Sequence, residues 1–138
     1  ELLENAEFKI WYKFAVNCGG NAQCGLVRAN LAGYLDHPLG RELCLRVQEE
    51  IVRVANAKGI PLTMEPFIQA RQKPLGPLGG HMPSTSQDML AKKPTELEFL
   101  YGAACREGKK AGVPTPFNEV IYMLTKIYED TYDSPYKN

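Results

Sequence analysis

The chain has 138 residues, enough for one core of ordinary size, and is 44% hydrophobic and 23% charged. Sixteen Lys and Arg balance sixteen Asp and Glu, so no basic field exists to hold nucleic acid or an anionic membrane surface. No apolar run reaches the ~18 residues of a membrane-spanning helix, and no signal peptide is expected. Glu1 opens the chain and a helical pattern follows almost at once, which suggests a piece of a longer protein. Cys18, Cys24, Cys44 and Cys105 fall inside helical patterns and form no C-x-x-C pair. Reduced, buried thiols are therefore expected, and neither zinc nor disulfides.

Phe8, Trp11, Phe14, Ala15 and Cys18 recur at the 3–4 spacing of a buried face and predict a helix over 5–18. Gly19-Gly20 interrupts it, each Gly weakening a helix by about 1 kcal/mol relative to Ala. The expected reason is a backbone or ligand too close to admit a Cβ. The pattern resumes from Asn21 to Leu31, and Gly33 to His37 forms a connection. Asp36 is the expected cap of the next helix, and Pro38 suits its first turn. There Leu39, Leu43, Val47, Ile51, Val54 and Ala55 line one face. Arg41, Glu42, Arg46, Glu49, Glu50 and Arg53 fall mostly on a solvated face, before Gly59 and Pro61 end the helix.

Residues 62–73 predict a short helix with Phe67, Ile68 and Ala70 turned inward. Three prolines and three glycines within 73–83 then exclude helix and central strand. His81 in this loop reads as a bystander. Ser84 with Gln87, and Thr95 with Glu98, have the spacing of capping boxes that open two further helices. The second carries Leu97, Leu100, Tyr101 and Ala104 inward and stops at Gly112 and Pro114. A last helix follows from Thr115-Pro116, with Phe117, Ile121, Leu124 and Ile127 or Tyr128 buried. No stretch alternates as a strand does. The expected fold is all-α, a compact bundle of six to seven helices.

Lys13, Asn17 and Asn21 stand at i, i+4 and i+8, placing one ammonium and two carboxamides in a single stripe. On an otherwise apolar helix this set suits a small, oxygen-rich substrate; a solvated lysine with loop-bonding asparagines is the structural alternative. Ser84 at a helix N-terminus offers a hydroxyl and free N–H groups to a carboxylate. A lysine ammonium is protonated at neutral pH and is a suitable general acid for a ketone oxygen. Glu96 at another helix start can hold a sugar hydroxyl or orient the lysine. For Ser84 and Glu96 taken singly, helix capping is the simpler explanation.

Several short motifs occur in a fixed order. Trp11-Tyr12-Lys13-Phe14-Ala15-Val16-Asn17 precedes Asn21. Ser84-Thr85-Ser86-Gln87-Asp88 is followed by Pro94-Thr95-Glu96, then Tyr101-Gly102, then Gly112-Val113-Pro114-Thr115-Pro116 and Asn118. From about Ile10 to Tyr128 this set resembles the C-terminal helical domain of the ketopantoate reductase (2-dehydropantoate 2-reductase) family, among the 6-phosphogluconate-dehydrogenase-like reductases.

The resemblance implies that residues 1–138 are a single substrate and catalytic domain, working with a separate N-terminal Rossmann domain that binds NADPH. It implies hydride transfer to the C2 ketone of ketopantoate, giving pantoate for pantothenate and coenzyme A synthesis. Lys13 is then the proton donor. Asn17, Asn21 and Ser84 hold the substrate, Glu96 contacts the cofactor, and no metal takes part. A cytoplasmic homo-oligomer is expected. The nucleotide-binding G-x-G-x-x-G is absent, so this chain alone is expected to be inactive. Tyr101-Gly102 stands where the family usually has Asn-Gly, and Ala32-Gly33 where some members have a further Asn. With the 74–83 loop, these are expected to reshape the pocket. Two other readings are a reductase of a different 2-oxo acid with the same Lys13 chemistry, and a non-enzymatic helical module for self-association.

Overall fold

A computed structural model describes residues 2–136, with side chains from residue 5 onward. As the lack of alternating stretches predicts, every regular element among them is helical. The elements are α1 (Leu2–Cys18), α2 (Gln23–Val27), α3 (Leu31–Leu35), α4 (Pro38–Ala57), α5 (Glu65–Ala70), α6 (Ser84–Leu90), α7 (Tyr101–Ala111) and α8 (Pro116–Asp130). Short 3-10 turns occupy Gly76–Gly79 and Leu97–Phe99.

α4 is the axis of the molecule, with α1, α7 and α8 packed along it. Its Val47, Ile51 and Ala55 are buried in one cluster with Ala15 and Cys18 of α1, Tyr101 and Ala104 of α7, and Ile121 of α8. Each large aliphatic side chain buried there contributes about 1.5–3 kcal/mol. A smaller cluster, Cys24, Tyr34, Leu35 and Cys44, seats α2 and α3 against α4.

Glu50 departs from its expected solvated position and is buried between α4 and α8. Its carboxylate accepts from the backbone N–H of Phe117 (2.9 Å) and Asn118 (3.0 Å), and from Asn118 Nδ2 (2.9 Å). The first turn of a helix leaves its N–H groups unpaired, so Glu50 caps α8 from outside. Asn118 Nδ2 also donates to the Val47 carbonyl (3.2 Å). This clamp sets the rotation of α8. Asn118, Ile121 and Thr125 face inward, while Leu124 and Ile127 are 47% and 60% exposed. The burial expected for Leu124 is therefore corrected, and of Ile127 and Tyr128 it is Tyr128 that packs against the core.

The stretch read as one helix to Leu31 and a connection from Gly33 is instead two five-residue helices. Arg28 at φ 57 ends α2, and Asn30 Oδ1 caps α3 by accepting from Gly33 N (2.8 Å). His37, not Asp36, caps α4, its Nδ1 accepting from Leu39 N (3.1 Å). Gly40 has a stringent reason: a Cβ there would lie 1.8 Å from the Tyr34 carbonyl oxygen.

The capping boxes also differ from their expected form. Pro83 is the N-cap of α6 and Gln87 Nε2 donates to the Met82 carbonyl (2.8 Å). Thr95 Oγ1 does accept from Leu97 N (3.3 Å), but Glu98 accepts from Tyr122 OH (2.7 Å) and pairs with Arg106 instead. In α5 only Phe67 is buried; Ile68 and Ala70 face solvent.

All four cysteines are free thiols, and burial pushes Cys24 and Cys44 up to about 11. Among the described residues no cluster of His, Cys, Asp and Glu could hold a metal ion. Among them, too, no helix is long and apolar enough to cross a membrane.

Candidate functional site

A cavity of about 600 Å³ opens beside the C-terminal end of α1. Asn17 and Asn21 line it from α1 and the turn that follows. Ser84 and Gln87 line it from the first turns of α6, His81 and Met82 from the preceding loop, Arg71 from the end of α5, and Cys44 and Gln48 from α4. The fold thus gathers Asn17, Asn21 and Ser84 around one cavity. Lys13 does not line the cavity. It is exposed, one turn before Asn17 on the same stripe, about 6 Å along the axis at 1.5 Å per residue. Glu96 is exposed at the start of the 3-10 turn Leu97–Phe99 and is not brought into the cavity.

At the break after α1, Gly19 and Gly20 line the cavity and also pack tightly against side chains of α3 and α4. A Cβ on Gly19 would lie 2.8 Å from both Cys44 Sγ and Gln48 Nε2, and one on Gly20 would lie 3.3 Å from the Tyr34 ring. The released turn is then bolted from three sides. Tyr34 OH donates to the Gly19 carbonyl (3.0 Å). Ser86 Oγ donates to the Asn21 carbonyl (2.6 Å) and accepts from Gly25 N (2.7 Å). Tyr101 OH accepts from Ala22 N (3.0 Å) and donates to Gln23 Oε1 (2.6 Å). Tyr101 is fully buried, and burial pushes its hydroxyl well above the usual tyrosine value. It acts beneath the turn that carries Asn21, and does not line the cavity.

The rest of the lining is also fixed by packing and hydrogen bonds. Phe67 of α5 stacks on Tyr12 of α1, with ring centroids 5.1 Å apart and planes at 22°. The proline- and glycine-rich loop is tied back by Asp36, whose two oxygens accept from Leu75 N (2.8 Å) and Gly76 N (3.0 Å). Those two N–H groups hold the Asp36 carboxyl below the usual aspartate range. Further along, Leu31 N donates to the His81 carbonyl (2.9 Å). Gly79 sits so close to α3 that a Cβ would lie 2.7 Å from Ala32 N.

The cavity therefore combines an apolar floor of Tyr12, Leu31, Leu35, Phe67 and Met82 with converging polar groups, as small-molecule sites do. Among the described residues no hydrogen bond or ion pair engages the side chains of Asn17, Asn21, Ser84 or Arg71. Gln48 Nε2 donates to the Ala15 carbonyl (3.3 Å), and its Oε1 is buried without a protein partner. Buried polar atoms are usually paired, so Gln48 Oε1 is the atom of this lining that calls for a partner from the cavity.

Arg71, Gln48 and Ser86 were not among the expected site residues. Gln48 carried a signal in being a lone amide beside Val47 and Ile51 on the apolar face of α4. Ser86 stood inside the Ser84–Asp88 motif, facing away from Ser84. Arg71 precedes a loop and carried none.

A family model described as "Ketopantoate reductase PanE/ApbA C terminal" matches residues 5–129. The chain is 30% identical over 133 residues to the 2-dehydropantoate 2-reductase of Pyrobaculum aerophilum, covering 96% of this chain and 47% of that protein. The dimeric ketopantoate reductase from Staphylococcus aureus superposes with a TM-score of 0.78 at 26% identity, over 89% of this chain and 43% of that one. D-mandelate dehydrogenase, in a ternary structure with NADH and anilino(oxo)acetate, superposes with a TM-score of 0.83 at 28% identity, over 90% of this chain and 41% of that one. The chain spans less than half the length of each of these relatives. The chain belongs to the ketopantoate reductase family, and corresponds to its C-terminal helical part.

Proposed function

We propose that residues 1–138 are the substrate and catalytic domain of a cytoplasmic NADPH-dependent 2-oxo acid reductase that converts 2-dehydropantoate (ketopantoate) to pantoate, for pantothenate and coenzyme A synthesis. One observation carries this reading. Asn17 and Asn21 line one cavity with Ser84, more than sixty residues away in sequence, and Lys13 stands one turn before Asn17 on the same stripe.

The chain offers no glycine-rich cradle for a dinucleotide, so NADPH falls to an N-terminal Rossmann domain. Glu96, outside the cavity, is assigned to a contact on the cofactor side. When bound, the reduced nicotinamide supplies hydride to the ketone carbon. The tasks left to this chain are grip and protonation. Asn17 and Asn21 donate N–H to the ketone and hydroxyl oxygens of the substrate, and Ser84 Oγ donates to its carboxylate. Lys13 Nζ gives its proton to the ketone oxygen as that becomes an alkoxide, the task of a general acid. The exposed strip Val120, Met123, Leu124 and Ile127 on α8 supports self-association.

A different 2-oxo acid is the second reading. The likeness to D-mandelate dehydrogenase and the stacked Tyr12–Phe67 pair in the wall favour an aryl-bearing substrate in that case.

The test follows oxidation of NADPH, and of NADH beside it, by the full-length protein with ketopantoate, phenylglyoxylate and pyruvate. Ketopantoate with NADPH is the expected preference, and the chain alone is expected to turn over nothing. Preference for phenylglyoxylate would keep the chemistry and change the substrate. Failure of a folded full-length protein to reduce any 2-oxo acid would leave a helical self-association module.

A further inference from the structure

We propose that Arg71 is the carboxylate anchor of this cavity, an assignment that rests on the 2-oxo acid reading above. Of all the side chains that line the cavity, Arg71 alone carries a permanent charge, and no Asp or Glu lines it. Asp36, whose oxygens are taken by Leu75 N and Gly76 N, is behind the lining rather than in it. A cleft whose one formal charge is positive draws and holds an anion.

Arg71 is held between two fixed points. It closes α5 as its C-cap, with its N–H donating to the Ile68 carbonyl (3.1 Å). Four residues before it, Phe67 is buried against Tyr12. Four and five residues after it, Leu75 and Gly76 are pinned by Asp36. The side chain is half-buried; the Asp36 carboxylate lies near enough to feel its charge, but among the described residues no carboxylate forms an ion pair with it. Arg28 is also without a side-chain partner among the described residues, but it is exposed and does not line this cavity. The remaining arginines are engaged: Arg46 with Glu42, Arg53 with Glu49, Arg106 with Glu98, and Arg41 with the Asp36 carbonyl.

The chemistry divides cleanly between the two cations. A guanidinium keeps its protons at any working pH and matches a carboxylate with two parallel N–H bonds. An ammonium can give a proton up. Arg71 in the wall therefore grips the acid group, and Lys13 beside the wall is left to protonate the ketone oxygen. Ser84 Oγ supplies a further donor within the same cavity.

The experiment uses the full-length protein and two substrates, ketopantoate and its methyl ester, which keeps the ketone but removes the negative charge. Arg71→Met is expected to lower kcat/KM for the acid on the order of 100-fold, mostly through KM, as loss of a charge-assisted hydrogen-bond pair predicts. The ester's kcat/KM is expected to stay level, so the preference for acid over ester collapses. The ester also reports whether the variant is folded. Arg71→Lys, which keeps the charge but loses the fork, is expected to fall between. An equal loss on both substrates, or no loss on the acid, would overturn the anchor. In that case Lys13→Ala still lowers kcat for acid and ester alike, and the reductase reading survives. Turnover of neither compound by the wild type would remove both.

Discussion

Gln48 and Glu50 lie two residues apart on α4, which turns them to opposite sides of the helix. Glu50 faces α8, and both its oxygens are taken up by Phe117 and Asn118. Gln48 faces the cavity, and its Oε1 meets no protein donor. The same contrast holds for the two regions around them. At the α4–α8 junction a buried charge is bonded into backbone and fixes the rotation of a helix. In the cavity wall Arg71, Asn17, Asn21 and Ser84 are positioned by other residues and left unengaged. Asn118 Oδ1 and Thr125 Oγ1 on the inward face of α8, and Thr85 Oγ1 of α6, are buried without a partner among the described residues and are exceptions outside the cavity. Most polar groups that build the fold are bonded within it, while these side chains of the cavity lining are left open to the cavity.

Substitutions can break this contrast, and Glu50→Ala should have the largest effect on stability. It strands the three donors of Phe117 and Asn118, for an expected loss of about 3 kcal/mol. Urea unfolding checks this. A loss as small as that at a surface site would mean that α8 is held by its apolar face alone.

Tyr101→Phe should come next. It unpairs Ala22 N–H and Gln23 Oε1 at once, for about 2 kcal/mol. Because the turn it supports carries Asn21, the full-length variant should also show a raised KM for substrate, which a purely structural tyrosine would not produce.

Asp36→Asn should act locally, on the loop that closes the cavity. Its carboxyl lies lower in the folded chain than in the unfolded one. Its contribution is therefore present above the usual aspartate range and is lost as pH falls through the lower folded value. Hydrogen-exchange protection of the Leu75 and Gly76 amides should weaken in acid in the parent chain. In the variant it should already be weak at neutral pH.

Asn17→Ala and Ser84→Ala should have the smallest effect on stability, within about 0.5 kcal/mol, since neither side chain bonds to the fold. Differential scanning calorimetry would sharpen the contrast if these stay level while Glu50→Ala falls, and would break it if all fall together.

The parts of the fold that rest on local periodicity were legible in the sequence. Val47, Ile51, Val54 and Ala55 announce α4, and Gly59 and Gly112 mark real helix ends at φ 85 and 69. What escaped depends on distant partners. Glu50 looks solvated until Phe117, 67 residues away, is brought to it. α8 looks as if Leu124 faces inward until Asn118 is clamped to Val47. α2 and α3 look like one helix and a connection, because the left-handed Arg28 and the Tyr34 bond to Gly19 leave no pattern in the chain.

The site divides in the same way. Asn17 and Asn21 are readable from their spacing, and Ser84 from its motif. The cavity unites them with Arg71 and Gln48 only through packing of α1, α4, α5 and α6. Glu96 matched a motif as well, yet it lies outside that cavity.

Lys13 offers the most direct measurement, because it is exposed and no hydrogen bond or ion pair among the described residues engages it. Full-length Lys13→Ala should be followed in parallel by thermal unfolding and by ketopantoate reduction. The expected result is an unchanged Tm with kcat lowered by ~10²-fold or more, as loss of a general acid predicts. Undiminished kcat, or a loss of activity matched by a loss of folded protein, would contradict the account.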